Sequence, residues 1–513
     1  MAFVCGVTIL NISCNGDDPA PSTQDYLEIN VRTERTFQTM AHFGASDAWS
    51  CQFVGKNWPI QKRNEIADYL FSRGMESDGS PKGIGLTLWR FNIGAGSAEQ
   101  GNSSGIGDPW RRAEGFMQPG GDLDWSRHEG QRWFMQAAKA RGVETFIGFV
   151  NSPPVALTKN SRAYSNGGSS SNISSQNLQK YASFLADVAV TLKDNDDIEL
   201  DYISPVNEPQ WDWDGASQEG SPWQNSEIAS LVRLLDDELL QRGISTKIEI
   251  PEAAQIQFLY SNNGRAGRGN QLNDFFSLSS SNYIGDLESV ANHVAGHSYY
   301  STWGPDNMIR TRKELAAAMQ QYSTLDYWMS EYTLLEDNSE IVGPGRDLGI
   351  DPALYMARVV LTDLVVTNAS SWQWWLGVSP YDYKDGLVYI DNDKNDGQVY
   401  TSKMLWGLGN FSRFIEPGMV RVGTSRSDNR TIEQTTGGVM EVAFVEPDSG
   451  RSVVVLVNYG VSTIPVKLKK DEGTMTCTIY RTSSANDLKK IGEHEFDEPL
   501  NLAPRSITTF VEI

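Results

Sequence analysis

A regular alternation of short apolar runs with amphipathic helical patterns, between residues 41 and 376, is the feature that most constrains the fold of this chain. In the segment 178–192 the apolar residues recur at intervals of three and four, which places them on one face of a helix. Eight strands alternating with helices predict an α/β protein with a (β/α)8 TIM barrel, with a doubly wound open sheet as the alternative. The predicted strands are 41–46, 85–93, 143–150, 200–206, 247–250, 291–298, 325–330 and 370–376, and the predicted helices are 60–73, 131–140, 178–192, 228–240, 308–321 and 353–365.

Two long polar loops follow the second and third predicted strands, at 94–124 and 160–175. The glycines Gly94 and Gly96 that open the first loop lack the third glycine of a dinucleotide-binding turn, which argues against the open sheet. In a barrel, loops after strands lie at the mouth where active sites are found. We therefore expect the two loops to form cleft walls, with surface insertions as the alternative.

The pattern changes after residue 419, where short runs rich in Val, Thr and Ile are separated by turn residues. Such spacing is typical of an all-β sandwich. The alternating segment 26–31 has no partner among the predicted barrel strands, so we expect it to join the sandwich. The predicted organisation is an export signal and tether at 1–24, an N-terminal strand at 25–40, the catalytic barrel at 41–415 and the β-sandwich side domain at 416–513.

Composition and charge restrict the partners of the protein. The 513 residues carry a formal net charge of −22, and phosphate binding needs clustered Lys and Arg, so a nucleic-acid partner is excluded. A polyanionic substrate is disfavoured for the same reason, unless a local basic pocket overrides the overall charge. The 15 Trp and 19 Tyr suit stacking on sugar rings, although such residues also fill cores.

The first 14 residues form an apolar run that is too short to span a membrane and is typical of an export signal. The run ends at Cys14, and the segment 13–18 resembles a bacterial lipoprotein cleavage site with lipid on that cysteine. We expect a cell-surface or periplasmic lipoprotein associated with the outer membrane, with plain secretion as the alternative, and a monomer. The cysteines beyond the signal, Cys51 and Cys477, are expected to be free thiols in different domains.

Two predicted strands end in a lone glutamate, Glu208 after the fourth strand and Glu331 after the seventh. Both side chains should therefore project into the barrel mouth from different walls. A pair of carboxyl groups across a cleft is what hydrolysis of a glycosidic bond requires. Retaining enzymes hold the pair roughly 5 Å apart and inverting enzymes about 6.5–9.5 Å apart, a difference that topology alone does not decide.

The neighbours of the two glutamates suggest their roles. Asn207 can bond a sugar 2-hydroxyl, which would make Glu208 the general acid and later the base, with a raised pKa. Glu331 would be the nucleophile, kept ionised by donors such as Arg90 and Tyr299. Glu252, at the end of the fifth predicted strand, has no assigned role; a structural and a distal-subsite function are both open.

His293 and His297 invite a zinc interpretation, which their spacing argues against. Val294 stands where a helical zinc motif needs glutamate, and on a strand four residues span about 13 Å. We interpret His297 as a sugar ligand or a partner of a sugar-binding residue. No metal or organic cofactor is predicted.

Seven segments, in order along the chain, resemble glycoside hydrolase family 30, as does the C-terminal segment 502–510. The resemblance implies retaining hydrolysis with Glu208 as acid/base and Glu331 as nucleophile. It also implies a contact from Arg90 to the nucleophile. The candidate substrate-binding residues are Asp47, Trp49, Arg90, Asn151, Asn207, His297, Tyr299 and Trp375, although Asp47 could instead cap a helix and the two tryptophans could be core residues. The seven segments are 43–49, 89–94, 151–154, 204–209, 297–300, 328–331 and 372–375.

Within that family, Gly44-Ala-Ser-Asp-Ala-Trp49 together with Asn151-Ser-Pro-Pro154 looks most similar to endo-β-1,6-galactanases. Glucosylceramidases carry Trp where Asn151 stands, and glucuronoxylan-specific members use basic residues that the acidic composition does not favour. The resemblance implies internal cleavage of β-1,6-galactan, such as arabinogalactan side chains. A β-1,6-glucanase or exo-β-glycosidase of the same family, and a non-catalytic surface glycan-binding protein, are the alternatives.

Overall fold

The structure of the protein is a computed structural model that describes residues 26–471 and 475–513. The predicted export signal and Cys14 lie outside the described residues. The described chain starts with strand β1 (Leu27–Thr39), and eight parallel strands then form the barrel. These are β2 (His42–Ser46), β3 (Leu88–Asn92), β4 (Thr145–Phe149), β5 (Tyr202–Ser204), β6 (Lys247–Ala253), β7 (Val290–His297), β8 (Asp326–Tyr332) and β9 (Ser371–Ser379).

Strand β9 closes the barrel because it pairs with both neighbours that an open sheet would leave apart. Ser371 is opposite His42 of β2 and also opposite Trp328 of β8. This confirms the predicted (β/α)8 barrel and excludes the open sheet. Two further strands, β10 (Gly386–Ile390) and β11 (Val399–Thr401), extend the sheet from β9.

Helices surround the barrel, and the main ones follow the predicted apolar periodicity. The 18-residue helix over 225–242 begins with a capping box between Gln224 and Glu227 and ends at Gly243, whose φ of 63° suits a left-handed stop. The helices are α1 (Ser50–Asn57), α2 (Ile60–Phe71), α3 (Ser97–Gln100), α4 (Glu129–Lys139), α5 (Leu178–Asp196), α6 (Asn225–Arg242), α7 (Gln257–Tyr260), α8 (Gln271–Phe276), α9 (Pro305–Met319), α10 (Ile350–Thr362), α11 (Lys403–Ser412) and α12 (Ile432–Thr435).

The second domain is a curled, mostly antiparallel nine-stranded sheet in which β1 lies between β12 and β15. Residue Ile29 of β1 pairs with Arg426 in the antiparallel direction and with Leu468 in the parallel direction. The strands after the barrel are β12 (Val420–Arg426), β13 (Val439–Val445), β14 (Ser452–Asn458), β15 (Ile464–Lys470), β16 (Thr476–Ser483), β17 (Asn486–Glu495), β18 (Leu500–Leu502) and β19 (Ser506–Glu512). Cys51 in α1 and Cys477 in β16 are both buried free thiols.

Strand β14 shows how the second domain attaches to the barrel. Val454 and Leu456 belong to the apolar core of the curled sheet, whereas Val453, Val455 and Val457 belong to the core shared with the barrel. Because side chains of a strand alternate between faces, a strand buried on both faces must be apolar throughout. The unbroken apolar run over 453–457 therefore reflects a sheet that packs on both sides.

Leu456→Ala is expected to lower the free energy of unfolding by about 2–5 kcal/mol, because it leaves a cavity in a packed core. The Leu456 side chain is fully buried, whereas Val461 is 83% exposed. Val461→Ala is the control and should change stability by less than about 0.5 kcal/mol. Chemical denaturation followed by circular dichroism measures both; equal effects would contradict the burial described here.

Two local details differ from the sequence prediction. Strand β5 ends at Ser204, so Glu208 lies in the loop beyond it and not at the strand end. The loop is nevertheless fixed, because the backbone N–H of Glu208 donates to the carbonyl of Glu252 on β6 at 2.9 Å. Arg90, which is expected from the sequence at the end of the second barrel strand, lies in the middle of β3. In the part of the chain that the structure describes, no helix is long and apolar enough to cross a membrane.

Candidate active site

A cavity of about 400 Å³ opens at the carboxyl ends of the barrel strands, and Glu208 and Glu331 both line it. Of the ten predicted catalytic and sugar-binding residues, seven are in this lining and three lie behind it. The lining residues include Trp49, Asn151, Asn207, Glu208, Tyr299, Glu331 and Trp375, whereas Asp47, Arg90 and His297 belong to the buried layer behind them.

The two glutamates approach each other closely. One carboxylate oxygen of Glu208, one of Glu331 and a ring nitrogen of His297 all lie within 4.8 Å of one another. The glutamates are 8% and 4% exposed, so each is nearly enclosed but reaches the cavity. This separation falls in the range of retaining rather than inverting glycosidases.

Two donors hold the carboxylate of Glu331. The Arg90 guanidinium donates to Oε2 at 3.0 Å, and the Tyr299 hydroxyl donates to Oε1 at 3.0 Å. Arg90 is itself fully buried and also donates to Glu252 at 3.0 Å. The guanidinium and the hydroxyl therefore fix both carboxylate oxygens of Glu331 in position at the cavity.

Glu208 lies in a different environment. Its Oε1 accepts a hydrogen bond from Nδ1 of His297 at 2.9 Å, and Nε2 of His297 bonds to Glu252 at 2.9 Å. Burial raises the pKa of Glu208; the hydrogen bond and charge of His297 lower it, and the carboxylates of Glu331 and Glu252 raise it again, with a net upward shift. The shift favours a protonated Glu208, as a general acid requires.

His297 is a cation at neutral pH. Burial lowers its pKa, but the surrounding carboxylates, chiefly Glu331 and Glu208, outweigh burial and raise the pKa of His297 to about 10. Arg90 and His297 hold the pKa of Glu252 below its usual range, although burial acts in the opposite direction. Arg90 and His297 thus lie among the carboxyl groups of Glu252 and Glu331, and Glu208 is the neighbour whose pKa burial raises.

His297→Gln is expected to move the alkaline limb of the pH profile of kcat/KM to higher pH, because the positive charge of His297 holds the pKa of Glu208 down. His293→Gln is the matched control. His293 is also buried in the barrel and bonds Glu249 at 2.8 Å, and burial lowers its pKa to about 3, so it carries no charge to lose. A limb that moves equally in both variants, or downward in His297→Gln, would contradict this account.

The carboxamides of Asn151 and Asn207 form a pair at the cavity wall. Asn207 donates to Oδ1 of Asn151 at 3.1 Å, and Nδ2 of Asn151 and Oδ1 of Asn207 are buried without a partner among the described residues. Whichever way the pair is oriented, one donor and one acceptor remain. Buried polar groups without partners are costly, so the pair is suited to bind a hydroxyl group of a ligand.

The remaining predicted sugar contacts are aromatic or lie deeper. Trp49 and Trp375 line the cavity with ring centres 5.5 Å apart, nearly perpendicular to each other. Asp47 is fully buried and accepts from the Asn92 backbone at 2.8 Å and from Gln131 at 3.0 Å. Burial raises the pKa of Asp47 to about 7, and its Oδ2 has no partner within the described chain.

Sequence reasoning left several site residues without a role. Glu252, which it placed at the mouth, is instead the buried carboxylate that joins Arg90 to His297. Trp211 and Tyr300 line the cavity but lie in loops, where no periodic pattern marks them. Arg111 also lines it, between the rings of Trp49 and Tyr381 at 5.3 Å from each. The sequence could have indicated Trp211 as a cavity residue, because it follows Glu208 by only three positions.

Glu208, His297 and Glu331 are also close enough to be considered as metal ligands. Metal binding requires a neutral imidazole with a free lone pair. Both ring nitrogens of His297 are already engaged with carboxylates, Nδ1 with Glu208 and Nε2 with Glu252, each at 2.9 Å. The three residues therefore suit proton transfer and charge balance rather than metal binding.

A (β/α)8 barrel with two facing carboxyl groups in a cleft at its carboxyl end is the arrangement of a glycoside hydrolase. Comparison with known proteins gives the same class. Residues 26–389 match the O-glycosyl hydrolase family 30 model, and residues 418–510 match the β-sandwich domain of that family. The chain belongs to glycoside hydrolase family 30, which confirms the resemblance, the enzyme class and the sandwich.

Individual relatives extend over almost the whole chain. An endo-β-1,6-galactanase from Hypocrea rufa is 24% identical over 471 residues, which cover 88% of this chain and 87% of that protein. The crystal structure of a conserved exported protein from Bacteroides fragilis is 31% identical, with a TM-score of 0.89, and the match covers 94% of this chain and 99% of that one. The catalytic domain of xylanase C from Talaromyces cellulolyticus is 22% identical, with a TM-score of 0.66 and coverage of 95% and 100%.

Proposed function

We propose that the protein is a retaining β-glycoside hydrolase that cleaves β-1,6-linked galactan internally, with Glu208 as acid/base and Glu331 as nucleophile. The observation that carries the mechanism is the approach of the two carboxylates to within 4.8 Å in one cavity. Their different surroundings support the division of roles: Arg90 and Tyr299 donate to Glu331, whereas burial raises the pKa of Glu208.

In the first step, a carboxylate oxygen of Glu331 attacks the anomeric carbon while Glu208 gives its proton to the leaving oxygen. The glycosidic C–O bond breaks, and an ester bond joins the sugar to Glu331. In the second step, ionised Glu208 takes a proton from water, whose oxygen displaces Glu331 from the anomeric carbon. The Asn151–Asn207 pair supplies a donor and an acceptor for a sugar hydroxyl close to Glu208.

The choice of β-1,6-galactan is supported by the galactanase relative and by the segments 44–49 and 151–154 that resemble such enzymes. The test is a panel of β-1,6-galactan, β-1,6-glucan and glucuronoxylan, with product sizes followed over time. We expect oligosaccharides of mixed length to appear early from the galactan. Monosaccharide as the sole product would indicate exo action. Sugar products from the glucan or the xylan, with none from the galactan, would contradict the proposed substrate.

We also infer that the protein is exported and carries lipid on Cys14. The export pattern of residues 1–14 supports this, as does the similarity to an exported protein of Bacteroides fragilis. In a cell that processes lipoproteins, incorporation of labelled fatty acid should require Cys14 and be lost in Cys14→Ser. Equal labelling of both forms would contradict lipid attachment at this residue.

A further inference from the structure

We propose that Trp211 and Tyr300 form a binding subsite for the leaving-group sugar, the residue of the β-linked chain that departs when Glu208 gives up its proton. The inference rests on the proposed function and extends it from the bond that is cut to the part of the substrate on its far side.

The subsite lies on the wall that carries the acid. The backbone N–H of Trp211 donates to the carbonyl of Glu208 at 3.2 Å, and the indole N–H of Trp213 donates to the same carbonyl at 3.1 Å. A general acid must lie within hydrogen-bond reach of the oxygen that it protonates. The sugar attached to that oxygen therefore occupies the space beside Glu208, where the Trp211 ring lines the cavity.

Tyr300 forms the other side of this corner. Its ring centre lies 6.0 Å from that of Trp211, and the two ring planes are inclined by 78°. It directly follows Tyr299, whose hydroxyl donates to the Glu331 carboxylate, so Trp211 and Tyr300 each lie close in sequence to a residue that contacts one of the two glutamates. Tyr300 lines the cavity yet is 66% exposed, so packing of the fold does not account for an aromatic ring at this position.

The Trp211 ring is held in place before any ligand binds. Phe258 contacts it edge-on at 6.1 Å, and the Arg265 guanidinium lies 5.9 Å from the ring centre. Arg265 is in turn paired with Asp212 at 3.2 Å. A ring that is already fixed loses little conformational freedom on binding, so its stacking energy is available to the ligand.

The chemistry of the corner suits a neutral hexose. One face of a galactose ring presents C–H groups, which pack against an aromatic face as other apolar surfaces do. Two rings at a steep angle contact one face and one edge of the same sugar. An enzyme with such a corner beside its acid should favour a saccharide leaving group over a small aryl group.

The test compares Tyr300→Ala with wild type and Tyr300→Phe, on β-1,6-galactotetraose and on the dinitrophenyl glycoside of β-1,6-galactobiose. In Tyr300→Ala, kcat/KM for the tetraose should fall about tenfold, the size of one lost aromatic contact. For the dinitrophenyl glycoside, whose leaving group is not a sugar, the fall should be less than about threefold. Tyr300→Phe keeps the ring and should restore activity on the tetraose. Tyr400→Ala, at an exposed tyrosine that does not line the cavity, is the control for surface substitution.

The glycosyl-enzyme provides a second measurement. With added β-1,6-galactobiose, an acceptor hydroxyl attacks the anomeric carbon, breaks the ester to Glu331 and gives its proton to Glu208. Transfer product should therefore form with wild type and Tyr300→Phe and decrease at least about fivefold with Tyr300→Ala.

The outcomes separate the two proposals. If wild type cleaves the tetraose and Tyr300→Ala keeps full kcat/KM and transfer, the subsite is wrong and the proposed function stands. If kcat/KM of Tyr300→Ala falls equally for both substrates, Tyr300 acts on the reacting centre and the proposed subsite is also wrong. If wild type cleaves neither substrate, the proposed function fails, and with it the sugar named here as the occupant.

Discussion

Glu331→Ala is expected to lower kcat on β-1,6-galactan by on the order of 10⁴–10⁶-fold, since removal of a nucleophile eliminates the covalent route. The substitution leaves the Arg90–Glu252 ion pair at 3.0 Å intact, so the barrel should still fold and bind oligosaccharide. Reducing-end release measures activity, and calorimetry measures binding. Azide should restore turnover of a dinitrophenyl galactobioside by entering the space left by the carboxylate and attacking directly, which gives the α-glycosyl azide.

The matched control is Glu144→Ala, which removes an exposed glutamate next to the amino end of β4, at the opposite end of the barrel. It should retain wild-type rates. Hydrolysis that survives in Glu331→Ala, or a β-glycosyl azide as the rescue product, would contradict the nucleophile assignment. If wild type and Glu331→Ala both bind oligosaccharide without cleaving it, the protein is a glycan-binding protein and not an active hydrolase.

Glu208→Ala is expected to reduce cleavage of the polymer by about 10²–10⁴-fold, because a sugar leaving group needs a proton. Formation of the glycosyl-enzyme from a dinitrophenyl glycoside needs no proton and should fall by less than about tenfold. Stopped-flow release of dinitrophenolate separates this step from the next. Equal losses with both kinds of leaving group would contradict an acid role for Glu208.

The pH profile gives an independent check on Glu208. Its raised pKa keeps the acid form present above the usual range of a carboxyl group, and activity falls as the pH rises through that pKa. In Glu208→Ala the ionisable carboxyl group is missing, so the alkaline limb of the pH profile for polymer cleavage should disappear. An unchanged limb in Glu208→Ala would assign that ionisation to another group.

The sequence predicted the barrel because its periodicities are local. Helix α5 buries one face, and β4 is buried along its whole length, and both leave a clear pattern of apolar residues. Strands β17 and β12 leave a weaker pattern, β17 because its residues are mostly polar and half exposed, and β12 because its run is short and ends in polar residues. Helix α11 is buried at every position after Lys403, so no exposed polar face marks it in the sequence.

The site was predicted only as far as chain order allowed. The identities of Glu208 and Glu331 and their projection into one mouth followed from counting strands. Counting strands did not predict that Glu252 joins Arg90 to His297. The three residues come from β6, β3 and β7, and their contacts depend on how the strands are staggered around the barrel. The meeting of Trp211 and Tyr300 in one corner could not be predicted either, since the two loops come together only in the folded chain.

By itself, then, the sequence determined the architecture, the family and the pair of acidic residues, since each depends on residue types at short spacing. Tertiary structure decided the chemistry of that pair. Both are glutamates with the same intrinsic acidity, and only the placement of Arg90 and Tyr299 at one and of His297 and a buried wall at the other makes them different. Proton affinity inside a protein depends on distance to charge and on exclusion of water, and neither exists until the chain is folded.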